Sequence, residues 1–294
     1  MVVWVLYVLI FISGLFIGSF LNVVSDRIVS NRSFLIGRSV CEFCKKVLSA
    51  LELIPVFSFL VQRGKCKSCK KKLSWYYPVS ELLTGLAFAL AAYKINIFSP
   101  DASSFTWLYF VFLLVILSVY IILFLTDVKY LLLPNKVLFP AIIFTIVFLI
   151  LGLILSLNYT YQSLNNDTFG KYLIKAGYWD LQWQAMVTDH LYILLSALAI
   201  GFFFWLLTLI KNGRAMGGGD VKLAFLIGLV NGFPHNVFAI FLGFLFGAVL
   251  SVLLVWTKRK TIKDTVPFGP FLLLGSFVML FWGDMLIDWY FGLF

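Results

Sequence analysis

Two aspartates could carry chemistry in this chain. Asp127 sits in Phe124-Leu125-Thr126-Asp127-Val128-Lys129, and Asp220 in Met216-Gly217-Gly218-Gly219-Asp220-Val221-Lys222; each stands where a hydrophobic stretch ends. A carboxylate at membrane depth costs roughly 2.5–3.5 kcal/mol at a helix centre on insertion scales, which makes it a functional candidate. Two carboxyl groups about 3 Å apart cannot both ionise easily, so they share one proton. The ionised group then takes a proton from water while the protonated one donates to a scissile carbonyl. That hydrolyses a peptide bond without a metal or a Ser or Cys nucleophile. The titration belongs to the pair, and neither role is assigned to one residue. The blander alternative is that each aspartate marks a helix boundary, with Asp220 capping the helix after its glycines. Gly217, Gly218 and Gly219 are candidate substrate-binding positions, because glycine tolerates positive φ and close backbone approach. They also suit a flexible hinge. A phosphate cradle would want Lys and Ser/Thr at set spacing, and that pattern is absent.

The elements that hold these residues must be membrane helices. The chain is 62% hydrophobic and only 12% charged, which excludes a soluble globular domain of 294 residues. The apolar stretches are continuous, not alternating, so a β-barrel is disfavoured. The expected fold is an all-α polytopic membrane protein with about eight transmembrane helices. The spans read as residues 3–24, 79–97, 105–126, 137–157, 190–210, 221–233, 236–256 and 268–286. The sixth is shorter than the roughly 20 residues a span needs and reads as a half-helix headed by Asp220. Three pieces are expected: a first helix at 1–24, a cytoplasmic zinc-binding loop domain at 25–78 and a membrane core at 79–294.

Charge gives the orientation. The loop 25–78 holds 11 of the 23 Lys and Arg residues, and 20 lie on that side in all. Only Lys94, Lys171 and Lys175 lie opposite. Both termini are then outside and the basic loops cytoplasmic. The first span lacks a charged n-region and is too long for a cleaved signal peptide. The net charge of +10 reflects this asymmetry and attraction to anionic lipid heads, not a nucleic-acid partner. Two spans separate Asp127 from Asp220, so both aspartates return to the cytoplasmic face.

All four cysteines fall in the basic loop, as Cys41-x-x-Cys44 and Cys66-x-x-Cys69. In a reducing cytosol, disulfides are disfavoured. Paired CxxC knuckles fit a structural zinc with four thiolate ligands. A redox dithiol and free thiols are the alternatives. The apolar stretch 51–61 between the knuckles suits packing on the membrane surface or on the zinc core. Trp75-Tyr76-Tyr77-Pro78 reads as an interfacial aromatic belt. Glu81 follows, suited to a helix N-terminus or to binding an incoming positive group. His190 and His235 fall on the outer side, and so do Asp284 and Asp288. The outer loop 158–189 carries no motif, and no internal repeat is evident.

Several motifs occur in order: Gly18-Ser19-Phe20-Leu21-Asn22-Val23-Val24, the two knuckles, Tyr77-Pro78-Val79-Ser80-Glu81-Leu82-Leu83-Thr84, Asp127-Val128-Lys129, Leu133-Pro134-Asn135, Gly217-Gly218-Gly219-Asp220-Val221-Lys222-Leu223 and Pro267-Phe268-Gly269-Pro270. In this the chain resembles the bacterial type IV prepilin peptidases, GxGD-type membrane aspartic proteases, over nearly its whole length except 158–189. The resemblance implies cleavage of a short basic leader from type IV prepilin or pseudopilin precursors, after a glycine, at the cytoplasmic face of the inner membrane. It also implies N-methylation of the new amine with S-adenosylmethionine. Asp127 and Asp220 match the family's catalytic aspartates, and Cys41, Cys44, Cys66 and Cys69 its zinc ligands. Tyr76 departs from the pattern, which often has Arg before Tyr-Pro. Two other readings stand beside this one: a GxGD-type protease with other membrane-spanning substrates, and a proton-coupled transporter. A transporter would hold its carboxylates near the midplane with access from both sides. A zinc-bearing scaffold without chemistry would leave both aspartates dispensable.

Overall fold

The computed structural model describes residues 2–33, 37–41, 43–210, 217–258 and 266–292. Ten α-helices account for nearly all of it: α1 (Val2–Val29), α2 (Phe57–Val61), α3 (Tyr76–Ile95), α4 (Ser104–Tyr130), α5 (Asn135–Asn166), α6 (Thr168–Lys175), α7 (Tyr178–Ile210), α8 (Gly218–Asn231), α9 (His235–Trp256) and α10 (Gly269–Phe291). Seven of the described helices are long and apolar enough to cross a membrane. The eighth expected crossing is α8. At 14 residues and 1.5 Å per residue it spans about 21 Å, short of a hydrocarbon core of about 30 Å. The all-α membrane architecture is as expected. Lys211, Arg214, Arg259, Lys260 and Lys263, which entered the charge asymmetry, lie outside the described residues.

The chain forms two compact units, Met1–Val137 and Leu138–Phe294. In the first, α1 and α3 approach through small residues. A Cβ on Gly14 would lie 2.7 Å from Gly85 Cα, and one on Gly18 would lie 2.9 Å from Glu81 Cα. Without a hydrophobic drive between helices in lipid, such close backbone contact is what binds them. A buried hydrogen bond adds to it: the Ser80 hydroxyl donates to Asn22 Oδ1 at 2.9 Å. Helix α4 packs on both through buried Leu113, Ile116, Leu117 and Leu123.

In the second unit α8 is the central element, packed by α7, α9 and α10. Its Leu223, Ala224, Leu226 and Ile227 are fully buried. Gly228 lets it close on α7, where a Cβ would meet Ala197 Cα at 2.6 Å. The helix is apolar nearly all round because it is enclosed by protein.

The segment 158–189 is not an irregular loop. Helices α5 and α7 run on through it, and α6 lies between them. Asp167 caps α6, accepting from the Gly170 amide at 3.0 Å. The rings of Tyr161 and Trp179 meet edge to face at 5.1 Å. Polar composition at that point does not end the helix.

Candidate functional site

Asp127 lies in the last turn of α4 and is 6% exposed. The helix ends four residues on, where Leu131 adopts φ 54° and its amide returns to the Asp127 carbonyl at 2.9 Å. A carboxylate at a helix C-terminus opposes the macrodipole, and burial removes its water. Stability alone does not select an aspartate here. Thr126 beside it is fully buried, its hydroxyl donating to the Leu123 carbonyl.

A polar network fastens this helix end to α1 and α3. Asp26, near the end of α1, accepts from Lys129 Nζ at 2.9 Å and from the Tyr130 hydroxyl at 2.8 Å. Lys129 lies 5.8 Å from the ring centres of both Tyr76 and Tyr77, within cation–π range. The Tyr76 hydroxyl donates to the Leu125 carbonyl at 3.1 Å. Only Trp75 of the expected aromatic belt is largely exposed; Tyr76 and Tyr77 turn inward at the start of α3. Asp26, Asn22 and Ser80 drew no sequence signal of their own. Asn22 and Ser80 each stood inside a quoted motif, but nothing in the spacing paired them across 58 residues.

Asp220 occupies the opposite kind of helix end. It sits in the first turn of α8 after the N-cap Gly217, and its amide donates to the Gly217 carbonyl at 3.1 Å. Negative charge is favoured there by the helix dipole. Gly217 has φ −74°, and Gly218 and Gly219 are helical. The positive φ expected of this run is therefore not used. What the glycines leave is space: a Cβ on Gly218 would meet nothing within 4 Å. Lys222, one turn on, points its ammonium at the Phe139 ring, 4.9 Å from the centroid. Met216, which opens the quoted motif, lies outside the described residues.

The four cysteines come together. Their sulfurs all lie within 4.8 Å of one another, with Cys41 and Cys69 at 4.0 Å. A tetrahedral site with bonds of about 2.3 Å puts sulfurs roughly 3.8 Å apart, so the cluster has the dimensions to hold a metal ion. The two knuckles prove to be a local repeat, although none was evident in the sequence. Cys41 and Cys66 each pair with the residue five on, through amides to Lys46 and Lys71 at 2.9 Å. Lys45 and Lys70 take matching φ of 57° and 58°. Single bridges, Val40 with Val47 and Lys65 with Lys72, close each turn. The amides of Cys69 and Ser68 draw the Cys66 thiol down to about 7. At Cys69 the Lys71 amide pulls downward, but burial and the neighbouring thiols carry it up to about 11. One sulfur is thus ionised near neutrality, while its neighbour holds its proton well above that.

Of the stretch between the knuckles, Phe59 alone is buried among the large apolar side chains of α2, its ring 4.9 Å from that of Trp75. Leu51, Phe57, Leu60 and Val61 stay exposed, so one side chain serves the fold and the others suit a membrane surface. Glu81 is buried, and its Oε2 accepts from the Val56 amide at 2.7 Å. Val56 has φ 58°, a region that β-branched residues avoid. Glu81 therefore anchors the loop between the knuckles to α3, and one of its oxygens is committed there. His235 Nε2 lies 2.9 Å from Asp284 Oδ1, and His190 Nδ1 2.8 Å from the Met186 carbonyl.

A cavity of about 870 Å³ opens within the first unit. Its walls are the Arg27-bearing end of α1, the start of α3, α2 and the knuckles. Asp26, Tyr77 and Glu81 line it. Arg27 shapes one rim, donating to the carbonyls of Ser33, Gly37 and Arg38 at 3.1–3.2 Å.

Comparison with known proteins gives two family matches. Residues 12–95 match the bacterial peptidase A24 N-terminal domain, and residues 114–252 match the type IV leader peptidase family. The chain is 32% identical over 282 residues to a prepilin leader peptidase/N-methyltransferase of Bacillus subtilis, covering 96% of each chain. It is 27% identical to one of Aeromonas hydrophila, covering 98% of this chain and 94% of that one. It is 28% identical to one of Pseudomonas aeruginosa, covering 94% and 90%. No solved structure shows significant similarity. With a relative this similar along almost the full length of both chains, the protein belongs to the type IV leader peptidase family.

Proposed function

We propose that this protein is a membrane aspartic endopeptidase that removes the leader from prepilin-like precursors and then methylates the new N-terminal amine. The observation that carries the reading is Asp127: a buried carboxylate at the disfavoured end of a helix dipole, in the position of a family motif. Asp220 is its partner, at the head of a short helix with open space over Gly218. On this reading the two carboxyl groups share one proton across the scissile peptide. One accepts a proton from the attacking water and the other donates to the carbonyl oxygen. Gly217, Gly218 and Gly219 leave room for the substrate backbone.

The basic loops favour a cytoplasmic site, because 20 of the 23 Lys and Arg residues fall on one side of the expected spans. Zinc fits the cysteine cluster by donor chemistry and by spacing. Cys41, Cys44, Cys66 and Cys69 would hold it, fixing the two knuckles as one body. Methyl transfer needs a donor: S-adenosylmethionine supplies an electrophilic methyl group on a sulfonium, and the amine that accepts it loses a proton.

The test is cleavage of a pilin-like precursor by purified protein in detergent, followed by mass analysis of the product. A mature product heavier by one methyl group supports both activities. Cleavage that persists in Asp127→Asn or Asp220→Asn overturns the aspartic mechanism.

A further inference from the structure

We propose that the stretch between the cysteine knuckles is an interfacial anchor for anionic phospholipid. Phe57, Leu60 and Val61 of α2 meet the acyl chains, and Arg63, Lys65 and Lys67 just after them hold the headgroups.

Helix α3 sets the depth. Its 20 residues at 1.5 Å each reach about 30 Å, the thickness of a hydrocarbon core, with none to spare. Tyr76 therefore starts at one edge of the core, where Trp75 suits the interface. Glu81 lies five residues further in, about 7–8 Å along the helix. Its Oε2 accepts from the amide of Val56 at 2.7 Å, and Val56 is the N-cap of α2. Phe59 rests its ring 4.9 Å from that of Trp75. Helix α2 is thus pinned beside the first turns of a membrane span. Helix α1 gives the same depth. Its Gly18 packs on Glu81, and its first charges, Asp26 and Arg27, follow eight and nine residues later, about 12–14 Å further along. Val56 therefore lies well inside the level at which Asp26 meets Lys129.

At that depth an exposed apolar side chain faces lipid. Phe57 is 61% exposed, Leu60 59% and Val61 65%, while Phe59 between them is buried. An interfacial segment divides in this way, and its apolar face enters the boundary by roughly 5–10 Å. Charge selects the lipid. Residues 53–80 hold six Lys and Arg and no Asp or Glu. Arg63, Lys65 and Lys67 are exposed, and their long stems let the cations reach headgroups from a sunken anchor. Six cations exceed the formal charge of about −2 that four thiolates leave around one Zn²⁺, so the stretch stays cationic and favours anionic lipid. Ser58 and Phe59 also line the cavity of about 870 Å³. Lipid on one face of α2 thus steadies a wall of the cavity on the other.

The test places p-benzoylphenylalanine at Leu60 in zinc-loaded protein, in nanodiscs of three parts phosphatidylcholine to one part phosphatidylglycerol. Illumination captures what the side chain touches, and mass analysis identifies the adduct. The same group at Leu245, exposed in the middle of α9, gives the lipid ratio met by an ordinary lipid-facing position. We expect phospholipid adducts at both, with phosphatidylglycerol over-represented at Leu60 by about twofold or more relative to Leu245. Arg63→Gln, Lys65→Gln and Lys67→Gln together should return the ratio at Leu60 to that at Leu245. Zinc content reports whether each variant is folded. If Leu60→p-benzoylphenylalanine loses zinc, Phe57→p-benzoylphenylalanine takes its place. A cross-link within the enzyme or to a second copy, or no lipid adduct where Leu245 gives one, overturns the anchor. A ratio equal to that at Leu245, or one that survives loss of the three cations, overturns the anionic selection and the proposal with it.

Discussion

The Tyr76 hydroxyl donates to the carbonyl of Leu125 at 3.1 Å, two residues before Asp127. It reaches from the first turn of α3 to the end of α4, and its ring shares Lys129 with Tyr77. Tyr76 is therefore a positioning residue for the helix end that presents Asp127. Tyr76→Phe keeps the ring and removes the hydrogen bond. A typical bond contributes about 1 kcal/mol, so cleavage should slow by roughly fivefold. On the proposed role of Asp127, the loss should appear in kcat more than in KM, because the bond then positions the reacting carboxylate and not the substrate. An effect on KM alone would argue that Tyr76 contacts the precursor.

Asp127→Asn and Asp220→Asn should each abolish cleavage while the protein still inserts and holds zinc. An amide can neither share the proton nor accept one from water. Members of one catalytic unit are non-additive, so the double variant should be no worse than either single one. A double variant far slower than both would show two independent groups. Chelators should not stop cleavage directly.

The membrane class, the seven long helices, the short α8 and the cysteine cluster were legible because each rests on a local rule: continuous apolarity, span length and CxxC spacing. The network around Asp127 was not. Asp26 and Lys129 are 103 residues apart, and only the packing of α1 on α4 brings them together. The contact that Glu81 makes was hidden for a related reason. Its acidity was visible, but its burial and its bond to the strained Val56 depend on where the inter-knuckle loop folds back. The glycines before Asp220 show the converse, since composition suggested positive φ and the backbone uses them only for clearance. The helical continuation of α5 and α7 through residues 158–189 was hidden by polar residues, which lower hydropathy but tolerate a helix.

One zinc should bind per chain, and its retention should fall as pH drops below neutrality. Cys66 is held down at about 7, so below that pH protons compete for the first thiolate to form. In metal-free protein, a depressed Cys66 adds stability above its ordinary value near 9 that is lost as pH falls through about 7. The raised Cys69 acts the other way: its contribution is present below about 9 and is lost as pH rises through about 11. Loading metal should release protons, most of all from Cys69. Elemental analysis against pH, with Cys→Ser at each of the four positions, checks both claims. Zinc absent from carefully reduced wild-type protein at pH 8 would remove the metal from the structure.

Glu81 separates anchoring from charge. Glu81→Gln keeps an oxygen that accepts from Val56, and it loses the negative charge. Glu81→Leu loses both and leaves the Val56 amide without its acceptor, at a cost of about 1–3 kcal/mol. The geometry expects the Gln variant to retain zinc and to cleave basic-leader precursors within about twofold of the wild type, a factor that corresponds to roughly 0.4 kcal/mol. The Leu variant should loosen the inter-knuckle loop, seen as faster proteolysis of residues 37–75 and weaker zinc retention. Had Glu81 instead served to draw the basic leader, the Gln variant would raise KM for that precursor and leave one with a neutral leader unchanged. Salt would then mask the difference, because an accessible charge is screened and a buried anchor is not. Parallel kinetics on the two precursors at low and high salt therefore decide which role this carboxylate plays.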